Sequence, residues 1–252
     1  MNPLVVIPTY NEVNNLEAMT TALFGLGIAG LSILIVDDES PDGTGVLADK
    51  LAERYPGHFF CLHRAGRRGL GRAYVDGFRW ALAHGADPII QMDADFSHSP
   101  SYIKLFLEKI ADHDLVIGSR WTQGGQVDKS WGLNRYLLSN GGNFYARTIL
   151  GIRVHDATAG FKCWRRSALE AIDVDRIVSD GYIFQVEMTY VAERLGLSVL
   201  ETPILFEVRH TGRSKMSLAV KLEAMWRVFQ VGQRHRAIRA ARPVTLARTV
   251  SE

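Results

Sequence analysis

Residues 33–39 read ILIVDDE, four apolar residues that end abruptly in three acids. A short apolar run without polar alternation is the pattern of a strand covered on both faces. The pattern recurs as LVVIPTY (4–10), FFCLH (59–63), PIIQMDAD (88–95) and DLVIGSR (114–120), with longer amphipathic stretches between the runs. Strands alternating with helix-length segments form a βαβ series, so the spacing predicts an α/β fold with a mainly parallel sheet flanked by helices. Ligands of such sheets gather outside the carboxyl ends of the strands. Four of these ends are polar: Pro8-Thr9-Tyr10-Asn11-Glu12, Asp37-Asp38-Glu39, Asp93-Ala94-Asp95 and Gly118-Ser119-Arg120. Any one strand end turns polar where it meets solvent, but four on one edge point to a site.

The second half is less regular. It carries a helical pattern around 132–150, a loop through Asp156-Ala157-Thr158-Ala159-Gly160-Phe161-Lys162, a helix near 181–195 and a strand within 198–209. In MSLAVKLEAMWRVFQV (216–231), Leu218, Leu222, Met225, Trp226 and Phe229 recur at spacings of three and four, which predicts an amphipathic helix. No linker composition interrupts the chain, so one domain over 1–231 followed by a basic, flexible tail at 232–252 is the simplest division. The 252 residues are 47% hydrophobic and 22% charged, which excludes disorder. Cys61 and Cys163 stand far apart and outside any CxxC spacing, which supports neither a disulfide framework nor a zinc ribbon. A formal charge of +2 is too balanced for a nucleic-acid binder. The local exception is the tail, with Arg234, Arg236, Arg239, Arg242 and Arg248 against Glu252. No apolar run approaches the roughly 18–20 residues that cross a bilayer, and MNPLVVIPTYNE lacks a signal peptide's basic start, so a cytoplasmic chain is expected.

Two carboxylates one residue apart at a strand end, Asp93 and Asp95, are suited to Mg²⁺ or Mn²⁺, which bind through one or two carboxylates plus substrate phosphate oxygens. With Asp37 and Asp38 on the same edge, the repelling acids imply a metal, a base, or hydrogen bonds to a sugar or nucleoside. The first βα turn, PTYNEVNN, has no GxGxxG, and no GxxxxGK[ST] occurs. Gly66-Arg67-Arg68-Gly69-Leu70-Gly71-Arg72 opens a helix where free N–H groups meet an anion, or is a plain loop-to-helix turn. His98 reads as a turn or cap residue, because hard cations prefer oxygen. Asp156 either caps a turn or touches a sugar, and Asp180 and Gln185 are similarly open.

Taken in order, PTYNE (8–12), VDDESPDGT (36–44), RRGLGRA (67–73), QMDADFSHSP (91–100), IGSR (117–120) and GRSKMS (212–217) resemble the inverting glycosyltransferases of family 2, most closely the polyprenol-phosphate mannosyltransferase type. The resemblance spans about residues 3–231 and looks like the form that consists of the catalytic domain only. It implies a glycosyltransferase A-type fold, GDP-mannose as donor, a polyprenyl monophosphate as acceptor and a divalent metal. By motif it places Pro8, Tyr10, Glu12 and Asp38 on the nucleotide, and Asp93, Ala94 and Asp95 on the diphosphate and metal. Ser97 stands where the family often has a Gln metal ligand. Arg120, Arg135 and Ser139 match positions that grip the acceptor phosphate, while Arg209 and Lys215 match basic residues facing the donor diphosphate.

Elementary chemistry agrees with that assignment. A phosphate monoester is mostly dianionic at neutral pH and needs little help from a base. Catalysis must stabilise the leaving diphosphate, the task of Asp95 with its metal, Arg209 and Lys215, and must align two anions that repel, the task of Arg120 and Arg135. Asp37, Asp38 and Asp93 then orient the donor. The same residues admit UDP-glucose or another nucleotide sugar, and a binding protein without turnover is the rival from another class. The C-terminal amphipathic helix either packs on the domain or lies at an anionic membrane surface, directly or beside a membrane-protein partner.

Overall fold

The computed structural model describes residues 1–66, 69–207, 218–238 and 246–248. The elements run β1 (Leu4–Thr9), α1 (Val13–Phe24), β2 (Ser32–Asp37), α2 (Thr44–Arg54), β3 (Phe59–His63), α3 (Leu70–Ala83), β4 (Ile89–Gln91), α4 (Tyr102–Lys109) and β5 (Leu115–Ser119). They continue with β6 (Gln126–Val127), α5 (Leu133–Leu150), β7 (Lys162–Trp164), α6 (Arg166–Ile172), α7 (Gly181–Arg194), β8 (Val199–Pro203), β9 (Leu205–Phe206), α8 (Leu218–Arg234) and β10 (Leu246–Arg248). The main sheet has the order β10-β8-β5-β7-β4-β1-β2-β3. β7 is antiparallel to both neighbours, and the other pairings are parallel. The expected α/β architecture with a mainly parallel sheet is therefore the observed one.

Alternate residues of each strand feed two cores, as the pleat requires. Val6, Leu34 and Val36 pack under α3, α6 and α7, while Val5, Ile7, Ile33 and Ile35 pack under α1, α2 and α4. Because both faces are covered, β1, β2 and β5 are apolar over most of their length, and Val5, Val6, Ile7, Leu34 and Ile35 are fully buried. Reversal of β7 has a functional consequence. It brings the start of that strand, and the loop 156–161 before it, to the edge where β1, β2, β4 and β5 end. Outside the main sheet, β6 pairs with β9 and ties the chain after β5 to the chain after β8.

The C-terminal helix continues to Arg234, three residues beyond the sequence reading. The first residues of the expected tail are docked: Arg234 Nη1 and His235 Nε2 lie 2.6 and 2.7 Å from Oε1 of the buried Glu187 on α7. Burial opposes ionisation of Glu187, but bonds from His235, Ser179 and Arg234 outweigh it and hold the carboxyl below its ordinary range.

Candidate active site

The first two strand ends are stitched together by side-chain oxygens. Thr9 Oγ1 donates to Asp37 Oδ1 (2.9 Å), and Ser40 donates to Asp37 through its N–H (3.0 Å) and its hydroxyl (2.6 Å). Asn11, in the left-handed region at φ 63°, donates its N–H to Ser40 Oγ, and Glu12 N–H donates to Thr44 Oγ1. Asp42 accepts from Val13 N–H and from the N–H and hydroxyl of Thr44; burial opposes its ionisation, yet these bonds hold it below the usual carboxylate range. Tyr10 is exposed beside this weave, and Pro8 and Glu12 are half-buried. The PTYNE turn is thus a rigid ledge.

Asp38 faces inward. It pairs with Nη1 of Arg64, a guanidinium with 5% side-chain exposure whose Nε also meets Asp76 at 2.8 Å. Its other oxygen accepts the Gly69 N–H at 2.9 Å. Gly71 N–H donates to Asp180 Oδ1 (2.7 Å), and the same oxygen caps α7 at Gly181. Two N–H groups at the start of α3, where an anion was one expectation, are therefore taken by the protein's own carboxylates. Glycine is required here: at Gly69, φ 151°, a Cβ would stand 2.0 Å from Asp180 Oδ2.

The third strand end carries the acidic triplet. Asp95 and Ser97 are buried, and Ser97 donates both its N–H (3.0 Å) and its hydroxyl to Asp95 Oδ1. Asp93 is partly open, with 29% side-chain exposure, and receives the Tyr74 hydroxyl at 3.2 Å. Asp93 N–H donates to His98 Nδ1 at 3.1 Å, so that nitrogen carries no proton. Burial pushes the His98 pKa down against the pull of Asp93 and Asp95, and its ring stacks on Phe161 with centroids 5.1 Å apart. His98 is a neutral strut of the turn, in line with the sequence reading. The donor set offered by Asp93, Asp95 and Ser97 is all oxygen, which fits Mg²⁺ or Mn²⁺.

At the fourth end, Arg120 meets Asp156 along one edge of its guanidinium, Nε to Oδ2 at 2.8 Å and Nη2 to Oδ1 at 2.7 Å. Its backbone N–H reaches the same carboxylate at 2.9 Å. Burial opposes the charge on both partners, yet the pair holds Asp156 below and Arg120 above the ordinary value; Asp93 adds to the field on Arg120. Asp156 is in turn fixed through its N–H by Glu201, which also accepts from His155. Beside Arg120 lies a cavity of about 370 Å³ lined by Trp121, Gly125, Val127 and Tyr136 among others. Trp121 Nε1 is buried there with no hydrogen-bond partner among the described residues.

Arg135 and Ser139, one helical turn apart, lie on α5, with the Arg135 guanidinium 4.0 Å from the Trp131 ring centroid. Helix α5 is unusual in leaving Leu133 (71%), Leu137 (56%) and Phe144 (66%) exposed, a single stripe at spacings of 4 and 7 residues. It neighbours α8, where Trp226 is 61% exposed, through a bond from Tyr145 Oη to the Met225 carbonyl. No described helix is long and apolar enough to cross a membrane. Arg209 and Lys215 lie outside the described residues, but the chain enters that segment from Glu207, whose N–H donates to the Ser97 carbonyl at 3.2 Å.

Asp37, Asp38, Asp93, Ala94, Asp95, Ser97 and Arg120 thus share one sheet edge. Sequence reasoning missed Arg64, whose partner is 26 residues away, and Trp121, whose only sequence signal is its place next to Arg120.

The mainly parallel sheet flanked by helices, with Asp93 and Asp95 at its carboxyl edge, is a glycosyltransferase A-type fold. The chain belongs to glycosyl transferase family 2, whose sequence model matches residues 4–173. It is 44% identical over 238 residues to the polyprenol monophosphomannose synthase of Mycolicibacterium smegmatis, covering 94% of this chain and 89% of that protein. It is likewise 44% identical over 232 residues to the undecaprenyl-phosphate mannosyltransferase of Micrococcus luteus, covering 92% and 94%. Among solved structures it is similar to glucosyl-3-phosphoglycerate synthase of Mycobacterium tuberculosis, in complex with Mn²⁺, UDP and glucosyl-3-phosphoglycerate, with TM-score 0.65, 18% identity and coverage of 95% and 81%.

Proposed function

We propose that this chain transfers mannose from GDP-mannose to a polyprenyl monophosphate at the cytoplasmic face of a membrane, inverting the configuration at C1. The names of its two 44% identical relatives support the acceptor class and the sugar. The observation that carries the reading is the juxtaposition of the oxygen triplet Asp93, Asp95 and Ser97 with Arg120 and its cavity, next to a helix whose apolar stripe faces outward. A water-soluble acceptor would need no such stripe, whereas a lipid acceptor is delivered from a bilayer.

In this reading the ledge of Pro8, Tyr10 and Glu12 receives the nucleoside, with Asp37 and Asp38 shaping it from beneath. Asp93, Ala94, Asp95 and Ser97 hold the diphosphate and Mg²⁺ or Mn²⁺. A divalent ion there supplies charge for the departing diphosphate. Arg209 and Lys215 serve the same diphosphate. Arg120, steered by Asp156, and Arg135 with Ser139 hold the acceptor phosphate, and the unpartnered Trp121 N–H supplies one more donor to it. A phosphate oxygen forms the new bond to C1 as the C1–O bond to GDP breaks, so an α-linked donor yields a β-linked product without a dedicated base. The stripe of α5, with Met225, Trp226 and Phe229 of α8, lies against the membrane.

The test is transfer of labelled sugar from GDP-mannose, UDP-glucose and UDP-N-acetylglucosamine into organic-extractable product, using purified protein, polyprenyl phosphate and Mn²⁺, with a chelator control. Label with GDP-mannose alone, lost on chelation, is the expected result. Label from a UDP-sugar overturns the donor, and absence of label from every donor, in membranes as well as in solution, overturns the reading in favour of a nucleotide-binding protein.

A further inference from the structure

A second group of ligating atoms lies between β3 and α2. Cys61 and His63 stand two residues apart on β3 and so point to the same face, and Asp49 reaches them from α2, which packs on that face. One ligating atom from each lies within 4.8 Å of the others, and His63 Nε2 is 2.8 Å from Asp49 Oδ1. The imidazole is held in place: Gly45 of α2 makes room for it, since a Cβ there would stand 3.1 Å from His63 Cε1 and 3.2 Å from Nδ1. His63 and Asp49 are about half exposed, so an ion can reach them and their side chains can close round it.

We infer that Asp49, Cys61 and His63 form a binding site for a zinc-class transition-metal ion, separate from the acidic triplet and clamping α2 to the edge strand β3. A set of one thiolate, one imidazole and one carboxylate is a three-ligand zinc set that leaves the fourth position to water. Softness separates the two sites. The all-oxygen triplet suits Mg²⁺ or Mn²⁺, whereas sulfur and nitrogen favour Zn²⁺ or Co²⁺. The acids Asp49 and Asp37 beside Cys61 attract a cation, and binding must displace the thiol proton, which makes occupancy rise with pH. Tetrahedral ligand distances of about 2.0–2.3 Å set the ligand atoms roughly 3.3–3.8 Å apart, so His63 Nε2 and Asp49 Oδ1, 2.8 Å apart, open slightly round the ion.

Cobalt is the probe, because its thiolate complex absorbs in the near ultraviolet and its oxygen complexes do not. The full chain titrated with Co²⁺ should show this band saturating at one equivalent, and Zn²⁺ should abolish it. Asp95→Ala, which disables the triplet, should leave the band intact. Cys61→Ser should remove it, and Asp49→Asn, an exposed change that spares the fold, should weaken Co²⁺ binding at least ten-fold. The second cysteine, Cys163, is fully buried and offers no competing site. Absence of the band, its survival in Cys61→Ser, or its loss in Asp95→Ala would each overturn the inference and leave His63 and Asp49 as a plain surface ion pair.

Discussion

Asp37-Asp38 and Asp93-Ala94-Asp95 end two strands of the same sheet, and by residue type they have the same claim on a substrate. The structure separates them. Asp37 accepts three hydrogen bonds from Thr9 and Ser40, and Asp38 is closed by the buried Arg64 and by Gly69. Asp93 is partly open, with 29% side-chain exposure, and beside it the buried Asp95 accepts at Oδ1 from the N–H and hydroxyl of Ser97. What distinguishes a carboxylate that holds loops from one that faces a ligand is the supply of protein donors around it. A cluster of acids is tolerated because half of it is neutralised internally.

The largest expected effect is on the second pair. Asp95→Asn removes the charge and keeps an oxygen for Ser97, so transfer should fall about 10³-fold while the melting temperature barely moves. Equal transfer by the variant would break the contrast at its strongest point. Asp38→Ala should do the reverse. It leaves Arg64 buried with the partly exposed Asp76 as its acidic partner among the described residues, costing about 3 kcal/mol in urea unfolding, at the low end for a broken buried pair. Replacing both partners, Asp38→Leu with Arg64→Met, should recover much of that loss. A variant of Asp38 that lost transfer with full stability would show that both pairs face the substrate.

These differences mark the limit of what the residues disclose by themselves. Strands β1 to β5 were legible because a two-face cover demands unbroken apolar runs, and ILIV and LVIG provide them. Strand β7 was not, because its three residues open with a lysine, and its reversed direction depends on pairing with segments more than forty residues away. Ligand-type residues at the strand ends were legible; their partners were not. Arg120 reads as an anion-binding arginine until Asp156, 36 residues on, is seen along one edge of its guanidinium. Periodicity found the apolar face of α8, but it gives no means of telling an apolar stripe that packs from one left outside, as on α5.

Lys162 extends the comparison to a buried cation with no acid in its bonds. Its ammonium donates to the Gln185 carbonyl at 3.0 Å and to Gln185 Oε1 at 3.1 Å, and burial pushes its pKa down to about 7 against a weak opposing pull from Asp156. Below pH 7 both states are charged, and the folded one bears the cost of the buried charge. Between pH 7 and the ordinary value of 10.5 the unfolded chain binds the extra proton, so this group makes stability rise with pH. Urea midpoints of wild type and Lys162→Met at pH 7 and 9 should differ in slope, wild type gaining up to about 2 kcal/mol relative to the variant. Parallel slopes would mean that Lys162 stays charged in the folded protein.

The smallest expected effect concerns the groups that neither the fold nor the acids use. Leu137 and Phe144 are exposed on α5, so replacing either with Glu removes no core contact and should leave the melting temperature unchanged. If the stripe meets a bilayer, each change withdraws apolar area worth about 1.5–3 kcal/mol when fully buried and adds a charge that anionic headgroups repel. Sedimentation with vesicles of anionic phospholipid should then show at least a ten-fold weaker partition for either variant. Their transfer to a short-chain, water-soluble polyprenyl phosphate should match wild type, because the acceptor phosphate is held by other residues. Weaker transfer to the short acceptor with unchanged vesicle binding would assign the stripe to the lipid chain of the substrate. The surface would then belong with Asp93, among the groups that the fold leaves partly open for a ligand.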